Sequence, residues 1–171
     1  MPLCAGKYVE LLPEGREALE LLSDYLFDEE DRLLFKITPA HLQALSGRGG
    51  LERNPRVRHV IVVAGEQLKD EVLSPWREWL PGSEFINEYG PTETTVGSCI
   101  FPVPSGYEVV PGRGVPIGKP FGNARFYVLS EDGGLQSVGI PGELYIGGVG
   151  LGRGYLNGPL PTQEKFVANP Y

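Results

Sequence analysis

Short apolar runs alternate with helix-spaced apolar positions in the first part of the chain. The runs predict strands over residues 7–12, 33–37, 57–64 and 84–88. Apolar positions three and four apart predict helices over residues 16–27, 39–45 and 66–80, the last one disturbed at Pro75. This order of strands and helices predicts an α/β fold, with helices flanking a mostly parallel sheet.

The strand over residues 57–64 is apolar at every position from Val60 to Val63, which indicates burial on both faces of the sheet. In open parallel sheets, ligands bind outside the carboxyl ends of the strands. We therefore expect residues 36–39, 64–66 and 88–93 to converge on one crevice.

Glycine divides the chain unevenly, because 17 of the 24 glycines lie at or after residue 90. The later part is therefore expected to form short antiparallel strands, over residues 124–130 and 142–148, in a Gly-rich partial β-barrel. The glycines from 148 to 154 are interpreted as bulges in it, and Thr162 as the cap of a helical turn over residues 162–166. The expected divisions are residues 1–101, a connection over 102–116, and residues 117–171.

Charge and composition remove several classes of function. A net charge of −7 and a pI of about 4.9 argue against a nucleic-acid partner. No apolar run reaches the roughly 18 residues of a membrane span. Cys4 and Cys99 are expected to be reduced, which favours a cytoplasmic location. His41 and His59 lack the spacing of metal ligands and are interpreted as structural or surface residues.

Residues 85–95 predict a buried strand that runs into a sharp turn at Gly90 and Pro91. The Tyr89 ring could stack on a base, the Thr92 hydroxyl could contact phosphate, and the Glu93 carboxylate could bind Mg²⁺. The alternative is an ordinary strand-to-helix turn with a surface glutamate. Residue types alone leave both interpretations open.

The sequence of residues 87–95, Asn-Glu-Tyr-Gly-Pro-Thr-Glu-Thr-Thr, resembles the signature of the adenylation domains of nonribosomal peptide synthetases. Residues 142–156 resemble the next shared motif of that family, with Gly152 where the family usually has alanine. Residues 115–120 and 162–166 are also similar. The resemblance covers essentially the whole chain and implies a flavodoxin-like half-sheet followed by part of a β-barrel.

The resemblance also implies the cofactors ATP and Mg²⁺, with a phosphopantetheine thiol on a partner carrier protein. Its implied catalytic residues are Thr92 and Glu93, with Glu93 as the metal ligand. The implied nucleotide-binding positions are Gly65, Asn87, Tyr89 and Thr92. The carbonyls of Gly90 and Val96 would receive the ammonium group of an amino acid substrate, whose pocket would be lined by Lys36, Val62, Ala64, Glu88, Val96 and Gly97.

The two charges in that pocket set, Lys36 and Glu88, suggest the substrate. A buried charge needs a partner, so we expect these side chains to face each other or a polar substrate group. Pockets with lysine and glutamate at these positions resemble those that select asparagine, and after it aspartate. The alternative is that Lys36 only pairs with a neighbouring carboxylate.

The resemblance implies an internal part of an adenylation domain. The upstream phosphate loop, the motif that holds the substrate amino group, the Thr-Gly-Asp motif and the small subdomain with its catalytic lysine are not in this sequence. We therefore expect a piece that needs the remaining adenylation-domain segments and is inactive alone. A free-standing binding module and a fragment of an acyl-CoA or aryl-acid ligase are the alternatives.

Overall fold

A computed structural model of the protein describes residues 2–110 and 112–171. The α-helices are α1 (Arg16–Phe27), α2 (Pro39–Ser46), α3 (Asp70–Trp79) and α4 (Pro159–Lys165). The strands are β1 (Leu34–Ile37), β2 (Val60–Val63), β3 (Glu84–Tyr89), β4 (Cys99–Pro102), β5 (Lys119–Pro120), β6 (Ala124–Leu129) and β7 (Glu143–Gly148). Short 3₁₀ helices cover Leu3–Ala5 and Thr92–Thr94.

Strands β1 to β5 form one sheet in chain order, and β6 and β7 form a second, antiparallel one. Strand β1 pairs with β2 in parallel, while β4 is antiparallel to both β3 and β5. An antiparallel edge on an otherwise parallel sheet is common in α/β folds. The expected fold class, a mostly parallel sheet with flanking helices followed by antiparallel strands, is confirmed.

The chain divides into two compact units. The first comprises Met1–Phe85 and Ser105–Val115, and the second comprises Ile86–Pro104 and Pro116–Tyr171. The division expected from the sequence, with boundaries at residues 101 and 117, stays a prediction.

The core of the first unit is built around Trp76 on α3, whose side chain is fully buried. Its indole Nε1 donates a hydrogen bond to the carbonyl of Leu42 on α2, at 3.3 Å. Its ring packs edge-on against Trp79, with 5.3 Å between centroids. Burial of this large aromatic side chain stabilises the core, and because the indole N–H is hydrogen-bonded, no buried donor is left unsatisfied. Both tryptophans are therefore packing residues of this core.

His59 connects the N-terminal ends of strands β1, β2 and β3. Its ring Nδ1 accepts from the backbone N–H of Leu33 at 3.2 Å, its own N–H donates to the Ser83 hydroxyl at 3.1 Å, and its carbonyl accepts from the N–H of Glu84 at 2.9 Å. The side chain is buried, and its Nε2 has no hydrogen-bond partner among the described residues. Burial therefore lowers the pKa of His59, and the backbone of Tyr25, followed by Asp28, opposes this shift without reversing it.

Segment Ser105–Val115 is held against α3 by a buried carboxylate. Asp70, at the start of the helix, accepts from the Tyr107 hydroxyl and from the N–H of Val110, both at 2.9 Å. The Arg77 guanidinium donates to the carbonyls of Tyr107 and Ser105, at 2.9 and 2.7 Å. These charge-assisted bonds fix a stretch that contains no helix or strand among its described residues.

Two expectations about the first unit are wrong. Residues 7–12 form no strand: Leu11 is 87% exposed, and the described residues supply no strand to pair with them. The helix expected from residue 66 begins at Asp70, because Lys69 is extended and bridges to Gly114. Once started, this helix runs through Pro75 without ending.

Two expectations about the second unit are also wrong. Only Gly148 of the glycine run belongs to a strand, so the run is not a series of bulges but a loop that leaves β7. Helix α4 begins at Pro159 with Gly158 as its cap, rather than at Thr162. The Thr162 hydroxyl instead lies within the helix, donating to the carbonyl of Gly158 at 2.6 Å.

Two further features concern the described residues only. None of their helices combines the length and the apolar character needed to cross a bilayer. Both cysteines are free thiols, with Cys4 exposed and Cys99 buried.

We expect the free energy of unfolding to fall as the pH is lowered through about 6.5, the ordinary pKa of histidine. Because the folded state lowers the pKa of His59, the unfolded chain takes up the proton first. The stability contributed by neutral His59 is thus complete above that pH and is lost progressively below it. Urea unfolding at a series of pH values, followed by tryptophan fluorescence, measures this dependence.

His59→Asn keeps a hydrogen-bonding group near Nδ1 but does not titrate, and should flatten the pH dependence between about pH 5 and 7. His41→Asn is the matched control, because His41 is exposed at the start of α2. Equal pH slopes in wild type and His59→Asn would contradict the expectation.

Candidate functional site

The loop between β3 and β4 is folded tightly on itself. The Thr94 hydroxyl donates to the Pro91 carbonyl at 3.0 Å and lies 2.7 Å from the Ser98 hydroxyl. The N–H of Ser98 donates to the Tyr89 carbonyl at 2.9 Å and closes the loop. A Cβ at Gly90 would collide with the backbone of residues 96–98, so this close approach requires glycine.

Thr95 and Val96 carry backbone strain within this loop. Their φ angles are 63° and 66°, a left-handed conformation that β-branched residues rarely adopt. Each such residue costs on the order of 1–3 kcal/mol, and such residues cluster at functional sites. The Thr95 hydroxyl donates to the Gly150 carbonyl at 2.7 Å, which helps to hold the strained turn.

The loop over residues 150–155, which follows β7, packs directly on the Thr92–Thr94 turn. The N–H of Gly152 donates to the Glu93 carbonyl at 2.7 Å, and the Tyr155 hydroxyl donates to the Glu93 carboxylate. The Tyr155 hydroxyl lowers the pKa of Glu93, with smaller contributions in the same direction from its own backbone and Lys165. The two stretches singled out in the sequence, residues 87–95 and 142–156, therefore meet at Glu93.

The remaining predicted residues of the second unit differ in accessibility. The Tyr89 side chain is 38% exposed and Thr92 is exposed, so both can reach a ligand. Asn87 is buried, and its side-chain amide donates to the Pro116 carbonyl at 3.0 Å. Val96 is 66% exposed and has a φ angle of 66°.

Glu88 and Gly97 are neighbours in this unit, because a Cβ at Gly97 would lie 2.5 Å from Glu88 Oε1 and 3.2 Å from the Phe121 ring. Gly97 also lines a cavity of about 200 Å³, together with Thr94, Ser98, Phe121 and Val149 among others. Gly97 therefore leaves room for the Glu88 carboxylate on one side and borders a small cavity.

The predicted residues of the first unit share one face of the β1–β2 ladder. Lys36 on β1 lies directly beside Val62 on β2, and Ala64 follows two residues later on the same face. The opposite face carries Ile61 and Val63, which are fully buried. Gly65 comes next with φ of 91°, close to the Thr38 side chain. Convergence of this group with residues 88–93 stays a prediction.

Sequence reasoning missed Tyr155 and His41. Tyr155 is one of two tyrosines in a matched motif, but nothing in the sequence indicated that it would reach Glu93 across 62 residues. The His41 ring Nδ1 accepts from the N–H of Thr38 at 3.3 Å and lies 2.8 Å from the Thr38 hydroxyl. His41 thus completes a cap at the start of α2, a position where glutamate or glutamine is the recognised signal.

The model of one protein family, described as AMP-binding enzyme, matches residues 2–156. This chain belongs to the AMP-binding enzymes. A relative of this AMP-binding chain, bacitracin synthase 3 of Bacillus licheniformis, is 37% identical over 171 residues, which are 99% of the chain and 3% of the synthetase. Surfactin synthase subunit 1 of Bacillus subtilis (strain 168) is 43% identical over 139 residues, 78% of the chain and 4% of that subunit.

Solved structures agree with this assignment. The nonribosomal peptide synthetase FmoA3 superposes with a TM-score of 0.77 at 28% identity, covering 99% of this AMP-binding chain and 18% of FmoA3. The Vibrio cholerae adenylation domain AlmE, solved with glycyl-adenosine-5'-phosphate, gives a TM-score of 0.68 at 27% identity over 80% of the chain and 26% of AlmE. The resemblance to adenylation domains of nonribosomal peptide synthetases is confirmed, and the chain corresponds to part of such a domain.

Gly150 and Gly152 should respond differently to alanine, although both lie in the loop that packs on Glu93. A Cβ at Gly150 would lie 3.0 Å from the Thr94 carbonyl oxygen, whereas one at Gly152 would lie 3.3 Å from the Glu93 carbonyl and 3.7 Å from the Phe166 ring. We expect Gly150→Ala to destabilise the loop by about 1–3 kcal/mol through overpacking. Gly152→Ala should change it by less than about 1 kcal/mol, because reduced unfolded-state entropy offsets the tight contact.

Amide hydrogen exchange of residues 93–98 in the two variants measures the effect on this loop, where the N–H of Ser98 is bonded to Tyr89. Faster exchange in Gly152→Ala than in Gly150→Ala would show that the packing of the two loops is not as described.

Proposed function

We propose that this chain is part of an adenylation domain that activates an amino acid. In the complete domain, ATP and the amino acid form an aminoacyl adenylate and pyrophosphate, and the acyl group then passes to the phosphopantetheine thiol of a carrier protein. The observation that carries the proposal is the turn after β3, where an accessible Tyr89 ring, the Thr92 hydroxyl and the Glu93 carboxylate follow one another along a single loop. The chain's family membership supports it.

Each residue of this loop has a role in the proposal. Tyr89 stacks on adenine, and Asn87 is proposed to contact the base. Gly65, in the first unit, is a further residue proposed for nucleotide binding. Thr92 contacts phosphate, and the Glu93 carboxylate binds the divalent cation. The backbone carbonyls of Gly90 and Val96 orient the substrate ammonium group. Catalysis of this type depends on positioning and on neutralising phosphate charge, so a rigid loop is an advantage.

The loop fits a Mg²⁺ ion of the kind that accompanies ATP. No group of three histidine, cysteine, aspartate or glutamate side chains that could hold a metal occurs among the described residues. Mg²⁺ bound with a nucleotide needs no such group, because one or two carboxylates and the phosphates supply its ligands. Glu93 offers one hard carboxylate that is not fully buried, and the bound ion would neutralise phosphate charge.

The residues proposed to contact the substrate are Lys36, Val62, Ala64, Glu88, Val96 and Gly97. Within the first unit Lys36 and Val62 lie side by side on one face, and within the second unit Glu88 borders Gly97. Pockets with lysine and glutamate at these positions resemble those that select asparagine, and after it aspartate. The asparagine amide offers an acceptor to the lysine and a donor to the glutamate.

We expect the complete synthetase domain to give its largest amino-acid-dependent ATP–pyrophosphate exchange with asparagine or aspartate. Exchange measured with each of the common amino acids tests both the reaction and the pocket. The variant Lys36→Ala should reduce the preference for asparagine or aspartate over other small polar amino acids. Greatest exchange with a bulky aromatic amino acid would refute the pocket, and no exchange with any amino acid would refute the function.

The isolated chain should show no amino-acid-dependent exchange, because it spans 3% of bacitracin synthase 3 and 18% of FmoA3 and lacks the other motifs of the reaction. A pyrophosphate-exchange assay on the purified chain, beside the complete domain as positive control, measures this. Robust exchange by the pure chain would overturn the expectation. If the chain is instead a free-standing binding module, it should bind a protein tightly without ATP. If it is a fragment of an acyl-CoA or aryl-acid ligase, the complete domain should give exchange with fatty or aryl acids.

A further inference from the structure

The Tyr155 hydroxyl donates its hydrogen bond to the Oε1 atom of Glu93. Weaker interactions of the carboxylate are with its own backbone N–H and with Lys165. Within the part of the chain that the structure describes, no side chain other than Tyr155 forms a hydrogen bond with it, so Tyr155 holds Oε1 and no other residue's side chain is bonded to Oε2. This division suits a carboxylate that must present an oxygen in one fixed direction.

The phenol can hold Glu93 because Tyr155 is itself fixed at three points. Its N–H donates to the Thr162 hydroxyl at 2.9 Å, and its carbonyl accepts from the N–H of Gly158 at 3.1 Å. Its ring meets the Phe166 ring edge-on, with 5.7 Å between centroids and an angle of 78°. The backbone of Tyr155 is thus restrained by Gly158 and Thr162, and its ring by Phe166, which comes directly after α4.

The main chain of Glu93 is held by the same loop, since its carbonyl accepts from the N–H of Gly152 at 2.7 Å. Glu93 is consequently restrained through backbone and side chain from one segment, residues 152–155.

A second tyrosine–carboxylate pair in this unit, Tyr145 and Glu143, is a local contact within one strand. Tyr145 donates to Glu143 at 3.3 Å, but these residues are two positions apart on β7, so their bond ties no separate segments together.

We propose that Tyr155 is a positioning residue that holds the Glu93 carboxylate in the direction required to bind the divalent cation of a nucleotide. This inference rests on the proposed function and adds to it a residue from a distant segment. Outer groups that orient a metal-binding carboxylate typically contribute 10- to 100-fold to metal affinity. Tyr155 therefore acts through Glu93 and has no direct contact with the cation in the proposal.

The test uses the complete synthetase domain with Mn²⁺ and the ATP analogue AMPPNP, and measures free Mn²⁺ by electron paramagnetic resonance. Tyr155→Phe keeps the ring that packs on Phe166 and removes only the hydroxyl. We expect it to weaken Mn²⁺ binding about tenfold, at the lower end of such effects. Tyr145→Phe, which deletes the same group from the local pair, should leave Mn²⁺ binding unchanged, and Glu93→Gln should weaken it further than Tyr155→Phe.

A kinetic readout separates positioning from general destabilisation. In Tyr155→Phe, the Mg²⁺ concentration for half-maximal exchange should rise while kcat at saturating Mg²⁺ stays near that of wild type. If Tyr155→Phe does not fold, the pair Thr162→Ser and Thr162→Val serves instead, because only serine keeps the hydroxyl that accepts from Tyr155. Thr162→Val should then weaken Mn²⁺ binding more than Thr162→Ser.

The outcomes distinguish this inference from the proposed function. Mn²⁺ binding by Tyr155→Phe equal to that of Tyr145→Phe, with loss only in Glu93→Gln, would overturn the role of Tyr155 and leave the proposed function intact. Unchanged Mn²⁺ binding and exchange in Glu93→Gln would remove the cation site, and the inference with it. Equal loss in Tyr155→Phe and Tyr145→Phe would show a general structural effect and would also overturn the inference.

Discussion

The loop after β3 depends on hydrogen bonds from a segment far away in the chain. A stretch with two consecutive left-handed β-branched residues, Thr95 and Val96, does not hold its shape by local preference. It is held because Gly150 and Gly152 approach closely enough for backbone and hydroxyl bonds to form across the two loops. A Cβ at Gly150 would lie 3.0 Å from the Thr94 carbonyl oxygen, so the close approach favours glycine there, whereas at Gly152 the nearest atom would be 3.3 Å away.

Buried polar groups serve a similar purpose in the first unit. His59 connects the segments before β1, β2 and β3, and Asp70 fixes the segment that returns after β4. A buried polar group without partners is costly, so each bond made here also specifies one arrangement of the backbone. Strands β1 and β2 follow two of the segments that His59 connects, and they pair with Lys36 beside Val62.

Sequence periodicity predicted most elements because they are short and bounded by clear signals. The helix at Arg16–Phe27 has the predicted bounds, and the strand before the motif extends by one residue to Tyr89. The failures came where tertiary contacts override local preference. Residues 7–12 look like a strand but have no pairing partner among the described residues, and α3 starts late because Lys69 bridges to Gly114. Local sequence contains no information on either contact.

The sequence by itself determined the fold class, the turn at Gly90 and the family to which the chain belongs, because these follow from residue types at short spacing. Only the tertiary structure decided that Tyr155 reaches Glu93, that Asn87 is buried against Pro116, and that the glycine run is a packing loop. The physical reason is that contacts between distant segments depend on how the strands and loops pack, which short-range residue patterns do not specify.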